Sequence, residues 1–215
     1  MRDAYHEQLD SIGHTLVEMA ELVGQALSRA TRALLEPDLP IAEAVISADD
    51  AVDALHRDLD FRTLDLMARQ QPVAGDLRTL VTSLRMSADL ERMGDLARHI
   101  AKVARMRYPD HAVPEELQPT FAQMGEIGAD LAEKVARIVE HQDVEVARTL
   151  EAQDDAVDRL HRAVFTTLLS KDNPYTIESA IDVTLLSRYY ERFADHAVSV
   201  AHRLVFLVTG DDEQP

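Results

Sequence analysis

Two short segments of the chain carry acidic residues at a spacing that could do chemistry. Glu91-Arg-Met-Gly-Asp95 and Glu191-Arg-Phe-Ala-Asp195 each place two carboxylates four residues apart. In a helix, residues i and i+4 lie on one face, so each segment presents its two acids side by side. The same face continues toward the N-terminus of the first segment as an apolar stripe, formed by Leu77, Leu80, Leu84 and Ala88. Acids on a core-facing stripe need a neutralising partner, which could be an arginine, a proton or a metal cation.

A second group of acids precedes each segment, together with a histidine. Positions i, i+4 and i+7 share one helical face, and they are occupied by Asp49, Asp53 and His56 and again by Asp154, Asp158 and His161. If the helices pack as a bundle, two acids of one helix can face two acids of the next. Oxygen ligands with an imidazole suit iron, manganese or magnesium, and zinc less well. The candidate metal ligands are therefore Glu91, Asp95, Glu191, Asp195, Asp49, Asp53, Asp154 and Asp158.

Ion pairing is the alternative interpretation of these acids. Six arginines stand close to them in sequence, namely Arg57, Arg92, Arg98, Arg162, Arg188 and Arg192. Acids at i and i+4 are also common on solvated helix surfaces. His56 and His161 could equally support a metal site or be partly buried packing residues. The sequence leaves both the metal and the salt-bridge interpretation open.

The sequence offers no recognisable apparatus for catalysis. It contains no cysteine, no glycine-rich phosphate loop and no Walker-type lysine. Its serines stand without a histidine and an aspartate as partners in the sequence, so nucleophilic catalysis is unsupported. We therefore expect a protein that is not an enzyme. A metalloenzyme or a metal-storage bundle is the alternative.

Composition indicates a helical protein of the cytoplasm. The 215 residues include 46% hydrophobic and 28% charged ones, with only 7 glycines and 8 prolines, which suits long helices. The absence of cysteine fits a reducing compartment. The N-terminus lacks an apolar signal core, and the most apolar run, residues 197–209, is too short to insert across a membrane. The net charge of −17 disfavours nucleic acid and anionic membranes as partners.

The spacing of apolar residues and prolines predicts an all-α fold. Apolar residues recur at intervals of three and four, and prolines or glycines interrupt the pattern between long segments. In the first half, these signals predict helices at residues 3–35, 41–70 and 76–107, then a loop with two prolines at 108–115. That loop is the best candidate for a boundary between two parts of the chain.

The second half of the chain repeats the first. Residues 49–57 return 105 positions later as 154–162, with a single difference at Ala54 against Arg159. The segment 91–95 returns 100 positions later, and the change of spacing falls in a connection, where length variation is tolerated. The repeat predicts two tandem three-helix bundles, residues 1–108 and 109–215, related by an internal pseudo-two-fold axis.

These motifs together resemble the PhoU family of bacterial phosphate-transport accessory and phosphate-signalling proteins. The resemblance covers essentially the whole chain. The matching segments are Asp76-Leu-Arg78, Leu90-Glu-Arg-Met-Gly-Asp-Leu96, Tyr190-Glu-Arg-Phe-Ala-Asp-His196 and Val205-Phe-Leu-Val-Thr-Gly210. Any one of them would be a weak signal, whereas the combination is specific.

The resemblance implies a cytoplasmic, all-α adaptor that is often a homodimer. Such proteins act with a phosphate ABC transporter, through its ATPase subunit, and with a membrane sensor histidine kinase. They restrain uptake and keep the phosphate-starvation response off when phosphate is plentiful. Some members carry iron clusters or other divalent metals (Fe, Mn or Zn), which by resemblance would bind at the acidic pairs of the two repeats. The alternative function is that of a metal-binding helical bundle.

Overall fold

The computed structural model describes residues 2–170 and 174–211, and these form helices joined by short connections. No strand occurs within these two ranges. The α-helices are α1 (Arg2–Leu35), α2 (Leu39–Gln70), α3 (Ala74–Arg107), α4 (Gln118–His141), α5 (Val144–Ala147), α6 (Leu150–Leu168) and α7 (Ile177–Thr209), and a 3-10 turn spans Glu115–Leu117. The predicted all-α fold is confirmed, and the three helices of the first half begin and end within two residues of their predicted bounds.

The helices form two bundles that pack against each other. Helices α1, α2 and α3 form the first bundle, and α4 to α7 form the second. Across the middle of the molecule, α1 packs on α4 and α3 packs on α7, so equivalent helices of the two repeats face each other. This arrangement agrees with the predicted pseudo-two-fold relation. All the long helices contribute to one hydrophobic core, and the boundary between residues 108 and 109 stays a prediction.

The second bundle differs from the prediction of three helices, because the segment equivalent to α2 is broken into α5 and α6. Asp143 Oδ1 accepts a hydrogen bond from the backbone N–H of Val146 at 3.0 Å, as an N-cap does. Three residues later, the backbone N–H and the hydroxyl of Thr149 both donate to the carbonyl oxygen of Val146. This tighter turn interrupts the α-helical hydrogen bonding between Ala147 and Leu150.

Helices α1 and α4 approach closely at the centre of the core. A Cβ at Gly125 would lie 2.5 Å from a side-chain carbon of Thr31, so glycine is required for this contact. The hydroxyls of Thr31 and Tyr190 are hydrogen-bonded at 2.8 Å, which joins the first bundle to α7. Tyr190 is fully buried, and its ring packs edge-on against Phe121 of α4.

Two groups of ion pairs hold α3 against α7. Near the middle of α3, Asp89 contacts Arg203 Nε at 2.6 Å and His196 Nδ1 at 3.1 Å. At the end of α3, Arg107 contacts Asp182 and Glu178 near the beginning of α7. The two helices are therefore antiparallel, and their acidic segments lie in the middle of both.

Among the described residues, none of the helices combines the length and the apolarity needed to cross a membrane.

Candidate functional site

The acids of α2 and α3 lie close together in the first bundle. Asp49 is buried, and one of its carboxylate oxygens would be 3.1 Å from a Cβ placed on Gly94. The missing side chain at Gly94, inside the segment Glu91–Asp95, lets α2 approach α3 this closely. Asp53, Asp95 and Glu91 all act on the charge of Asp49 through space. The structure thus brings together the four predicted acids of the first half.

Arginines neutralise this first cluster. Arg98 Nη1 lies 2.6 Å from Asp49 Oδ2, and the same guanidinium contacts Asp95. Arg92 pairs with Asp95 at 3.1 Å and with Glu91 at 3.5 Å. In the first half, the acids therefore adopt the arrangement that the salt-bridge interpretation predicts.

Burial controls the pKa of Asp49. Removal of water raises the pKa of this carboxyl to about 6. The positive charge of Arg98 opposes the rise, whereas the neighbouring carboxylates, Asp53 first among them, add to it. A buried acid with three acidic neighbours thus takes up a proton at a higher pH than an ordinary aspartate, in spite of its arginine.

The four predicted acids of the second half also meet. The pKa of Asp154 is raised to about 7, first by burial and then by the charges of Asp195, Asp158 and Glu191. The pKa of Glu191 is also raised, first by burial and then by Asp195, although Arg188 opposes the rise. The causes for Asp154 include no arginine, in contrast to Asp49.

The second cluster contains buried oxygens without partners. Glu191 is 9% exposed, and its ion pair among the described residues is with Arg188, which contacts Oε1. Glu191 Oε2 and Asp154 Oδ1 are buried and accept no hydrogen bond within the part of the chain that the structure describes, and the same is true of Asp49 Oδ2 in the first cluster, which contacts Arg98 as an ion pair. Asp158 pairs with Arg162 at 2.9 Å, and Asp195 is exposed to solvent.

The two histidines make the same hydrogen bond in each half. His56 Nδ1 lies 3.1 Å from Ser87 Oγ, and His161 Nδ1 lies 3.0 Å from Ser187 Oγ. Each serine hydroxyl also donates to the carbonyl oxygen three residues earlier. Each serine therefore accepts from an Nδ1–H, and this fixes the ring orientation while leaving Nε2 to face other groups.

These serines correct the expectation that no serine has a histidine partner. The pairing was hidden in the sequence, because Ser87 and Ser187 lie on different helices from the histidines. Both serines are completely buried, and their hydroxyl protons are engaged by backbone carbonyls. A substrate could not reach either oxygen, so the pairs orient the histidines and supply no nucleophile.

The predicted apolar stripe on α3 is only partly buried. Leu80 is fully buried, but Leu77 is 41% exposed and Ala88 is also exposed. Since α3 packs against α1, α2 and α7, its buried face is wider than one stripe and is centred elsewhere. The side chains of Glu91 and Asp95 are 21% and 17% exposed, so they lie at the edge of the core.

The fit of a metal ion differs between the two clusters. Within residues 2–170 and 174–211, no three His, Asp or Glu side chains converge tightly enough to hold a metal ion as they stand. In the first cluster, the guanidinium of Arg98 already lies against the deepest acid, Asp49. In the second cluster, Asp154 Oδ1 and Glu191 Oε2 are hard oxygen donors without hydrogen-bond partners among the described residues, as Asp49 Oδ2 is in the first cluster.

A depression between α3 and α7 was not predicted from the sequence. It has a volume of about 490 Å³ and is lined mainly by arginines, histidines and Tyr189. Its cations are Arg92, Arg188 and Arg192, and the ring of His99 lies 5.3 Å from that of Tyr189. These residues meet only because α3 and α7 are antiparallel, and no sequence spacing indicates this.

Comparison with known proteins identifies the family. The PhoU domain model matches residues 16–104 and 121–204 of this chain. The phosphate-specific transport system accessory protein PhoU homolog 2 of Mycobacterium tuberculosis is 48% identical over 98% of this chain and 99% of its own length. PhoU homolog 1 of Mycobacterium leprae is 44% identical over 100% of this chain and 99% of its own length.

Solved structures agree with this assignment. The crystal structure of PhoU from Pseudomonas aeruginosa superposes with a TM-score of 0.85 at 25% identity, over 96% of this chain and 100% of that one. The regulatory protein PhoU from Streptococcus pneumoniae has the same fold, with a TM-score of 0.88 over 98% of this chain and 100% of that one, at 24% identity. With two repeats, matched acid clusters and relatives that align over nearly the full length, this chain belongs to the PhoU family.

Proposed function

We propose that this chain is a cytoplasmic, non-enzymatic regulator of phosphate uptake, acting as an adaptor between a phosphate ABC transporter and a sensor histidine kinase. When phosphate is plentiful, it restrains uptake and keeps the phosphate-starvation response off. The observation that carries the proposal is the match, over nearly the full length, to accessory proteins of phosphate-specific transport systems. An accessory protein works through contacts with its system, so its functional groups lie on its surface.

Two surface features support a docking role. The chain carries a net charge of −17, and Asp195 of the second acid cluster is exposed, which favours a basic partner surface. Helix α7 begins with exposed apolar residues on successive turns, Ile177, Ile181 and Leu185. Exposed apolar residues on one helical face favour contact with another protein. A homodimer is part of the proposal, and light scattering at several concentrations measures it.

A binding assay tests the adaptor role. The purified chain is titrated against the transporter ATPase subunit and, separately, against the cytoplasmic part of the kinase. We expect Asp95→Asn combined with Asp195→Asn to weaken binding about tenfold, because the lost charges face a basic surface. The matched control, Glu115→Gln with Glu116→Gln, removes two exposed acids from the inter-repeat connection and should leave binding unchanged.

Circular dichroism of the double variant should match that of the wild type. A wild-type chain that binds neither partner, or a deletion strain whose phosphate-starvation reporter stays off in high phosphate, would contradict the adaptor role.

A second candidate function is the binding of a divalent metal or an iron cluster (Fe, Mn or Zn). The observation that favours it is that carboxylate oxygens of both clusters, Asp49 Oδ2, Asp154 Oδ1 and Glu191 Oε2, are buried without hydrogen-bond partners among the described residues. Unpaired buried carboxylate oxygens are costly, and a bound cation removes that cost. The eight proposed ligands are Glu91, Asp95, Glu191, Asp195, Asp49, Asp53, Asp154 and Asp158. Metal content of the purified protein measures this function independently of partner binding.

A further inference from the structure

The depression between α3 and α7 is lined by cations in a strongly acidic chain. Its volume is about 490 Å³, within the range of about 300 to 1,000 Å³ that is usual for small-molecule sites. Of the eight described residues that line it, three are arginines, two are histidines and one, Asp95, is an acid. Because the chain as a whole has a net charge of −17, this local excess of cations marks a place that favours an anion.

The internal repeat brings two of the arginines to the same depression. Arg92 and Arg192 occupy the second position of the two Glu-Arg-x-x-Asp segments, so they are equivalent residues of the two repeats. Both line the depression, because α3 and α7 are antiparallel and pack together along these segments. Guanidinium groups therefore border one space from two helices, an arrangement that suits an anion with several oxygens.

These arginines keep hydrogen-bond donors for a ligand. Within residues 2–170 and 174–211, Arg192 forms no ion pair. Arg92 contacts Asp95 and Glu91, and Arg188 contacts Glu191 through one nitrogen. A guanidinium has five N–H donors in a planar fork, so donors remain beside these ion pairs. The side chains of Arg92 and Arg188 are 62% and 51% exposed, which leaves them open to an anion from solvent.

The third arginine and an aromatic residue next to it are not shared by the repeats. Arg188 and Tyr189 line the depression, whereas the equivalent residues of the first repeat are Ala88 and Asp89. Asp89 is buried in the ion pairs that join α3 to α7. The depression thus gains a cation and a ring that the repeat alone does not supply.

Two rings form part of the wall of the depression. The centroid of the half-buried Tyr189 ring lies 5.3 Å from that of His99, with the ring planes inclined by 45°. The depression is much larger than orthophosphate, so the arginines alone do not account for its volume. Rings beside arginines suit a phosphate that is joined to a heterocyclic base, because the base stacks on a ring while guanidinium groups hold the phosphate.

We propose that the depression between α3 and α7 is a nucleotide-binding site. Arg92, Arg188 and Arg192 hold the phosphates, and the base packs against Tyr189 and His99. The inference goes beyond the adaptor role, because it concerns the chain alone and one small ligand.

Calorimetric titration of the chain in chelator tests the inference. The ligands are ATP, AMP, adenosine, tripolyphosphate and orthophosphate, each at low and at high salt. We expect one ATP per chain, with weaker binding at high salt because exposed charges are screened. Tripolyphosphate, which lacks the base, should bind about tenfold more weakly than ATP. Adenosine, which lacks phosphate, should show no binding.

Two sets of variants separate the phosphate contacts from the base contacts. Arg188→Gln combined with Arg192→Gln should weaken ATP and tripolyphosphate alike, by about a hundredfold, because two charge-assisted contacts are lost. Tyr189→Leu should weaken ATP about tenfold and leave tripolyphosphate unchanged.

The matched control is Arg105→Gln combined with Arg159→Gln. It removes two exposed arginines that do not line the depression, so ATP binding should be unchanged. Arg188 and Arg192 are also exposed, and circular dichroism verifies that every variant is folded.

Three outcomes would overturn the inference. The first is a wild-type chain that binds none of the phosphate ligands. The second is ATP binding that persists in the Arg188 and Arg192 variant, since the ligand would then lie elsewhere. The third is equal affinity for ATP and tripolyphosphate, which would exclude recognition of the base. The adaptor role is measured separately, by binding to the transporter and the kinase, so its failure is distinguishable from each of these.

Discussion

The two repeats use the same four carboxylates in different electrostatic environments. In the first, Arg98 reaches from α3 to the buried Asp49. In the second, the corresponding Asp154 has no arginine partner among the described residues, and its pKa is raised to about 7, compared with about 6 for Asp49. The difference comes from residue 98 and its equivalent 198, which lie outside the acid motif that the repeats share, so the same acids occur in two electrostatic environments.

The second repeat places its arginine elsewhere. Arg188 contacts Glu191 from one turn before the acid, and the first repeat has Ala88 at that position. The Arg188 side chain is 51% exposed, so its pair is weakened by water, whereas the pair of Arg98 is largely shielded. The ion pair of the first cluster is therefore shielded from water, whereas that of the second cluster is half exposed.

The largest expected effect comes from removing the arginine of the first cluster. Arg98→Met leaves Asp49 buried without its cation, so the free energy of unfolding at pH 8 should fall by about 3 kcal/mol. Arg188→Met is the matched variant in the second repeat and should cost about 1 kcal/mol or less, because that guanidinium is half exposed. Urea denaturation of both variants in chelator measures the difference. Equal losses would show that the two clusters are electrostatically alike.

A second comparison uses pH. The pKa of Asp154 is about 7 in the folded chain and 3.8 without the fold, so the folded state binds a proton that the unfolded state releases. Stability from this group is therefore present at low pH and is lost as pH rises toward 7. Without metal, Asp154→Asn should gain about 2 kcal/mol relative to the wild type between pH 4 and pH 8, after allowance for partial exposure.

Asp49→Asn is the control for this experiment. Its relative gain should level off at about pH 7, about one unit below the pH at which that of Asp154→Asn does, because the pKa of Asp49 is raised only to about 6. Thermal unfolding across this pH range, in chelator, gives both curves. Parallel curves for the wild type and Asp154→Asn would show that Asp154 titrates normally.

The smallest effect concerns the hydrogen bond between a histidine and a serine, which both repeats contain. Ser87→Ala and Ser187→Ala each remove the hydroxyl that accepts from a histidine Nδ1–H, and each should cost about 1 kcal/mol. The two losses should be equal, because the same hydrogen bond is lost in each repeat. Urea denaturation of both variants measures the losses. A loss confined to one variant would contradict the equivalence of the two serines.

The sequence by itself determined the helices and the repeat. Apolar spacing and proline positions located α1, α2 and α3, because the buried face of an amphipathic helix carries apolar residues at intervals of three and four. The four acids of each half were also identified from spacing alone, because i and i+4 share a face in any helix. The division of the second repeat into α5 and α6 escaped prediction, because it depends on hydrogen bonds of Thr149 that compete with the helix.

Only the tertiary structure decided how each acid is neutralised. Six arginines stand close in sequence to the acids. Their sequence positions did not reveal that Arg98 of α3 contacts Asp49 of α2. Likewise, the serine partners of His56 and His161 lie on a neighbouring helix and carry no sequence signal. Periodicity fixes which face a residue occupies along its own helix, whereas the contacts that set charge and pKa depend on how helices distant in the chain pack together.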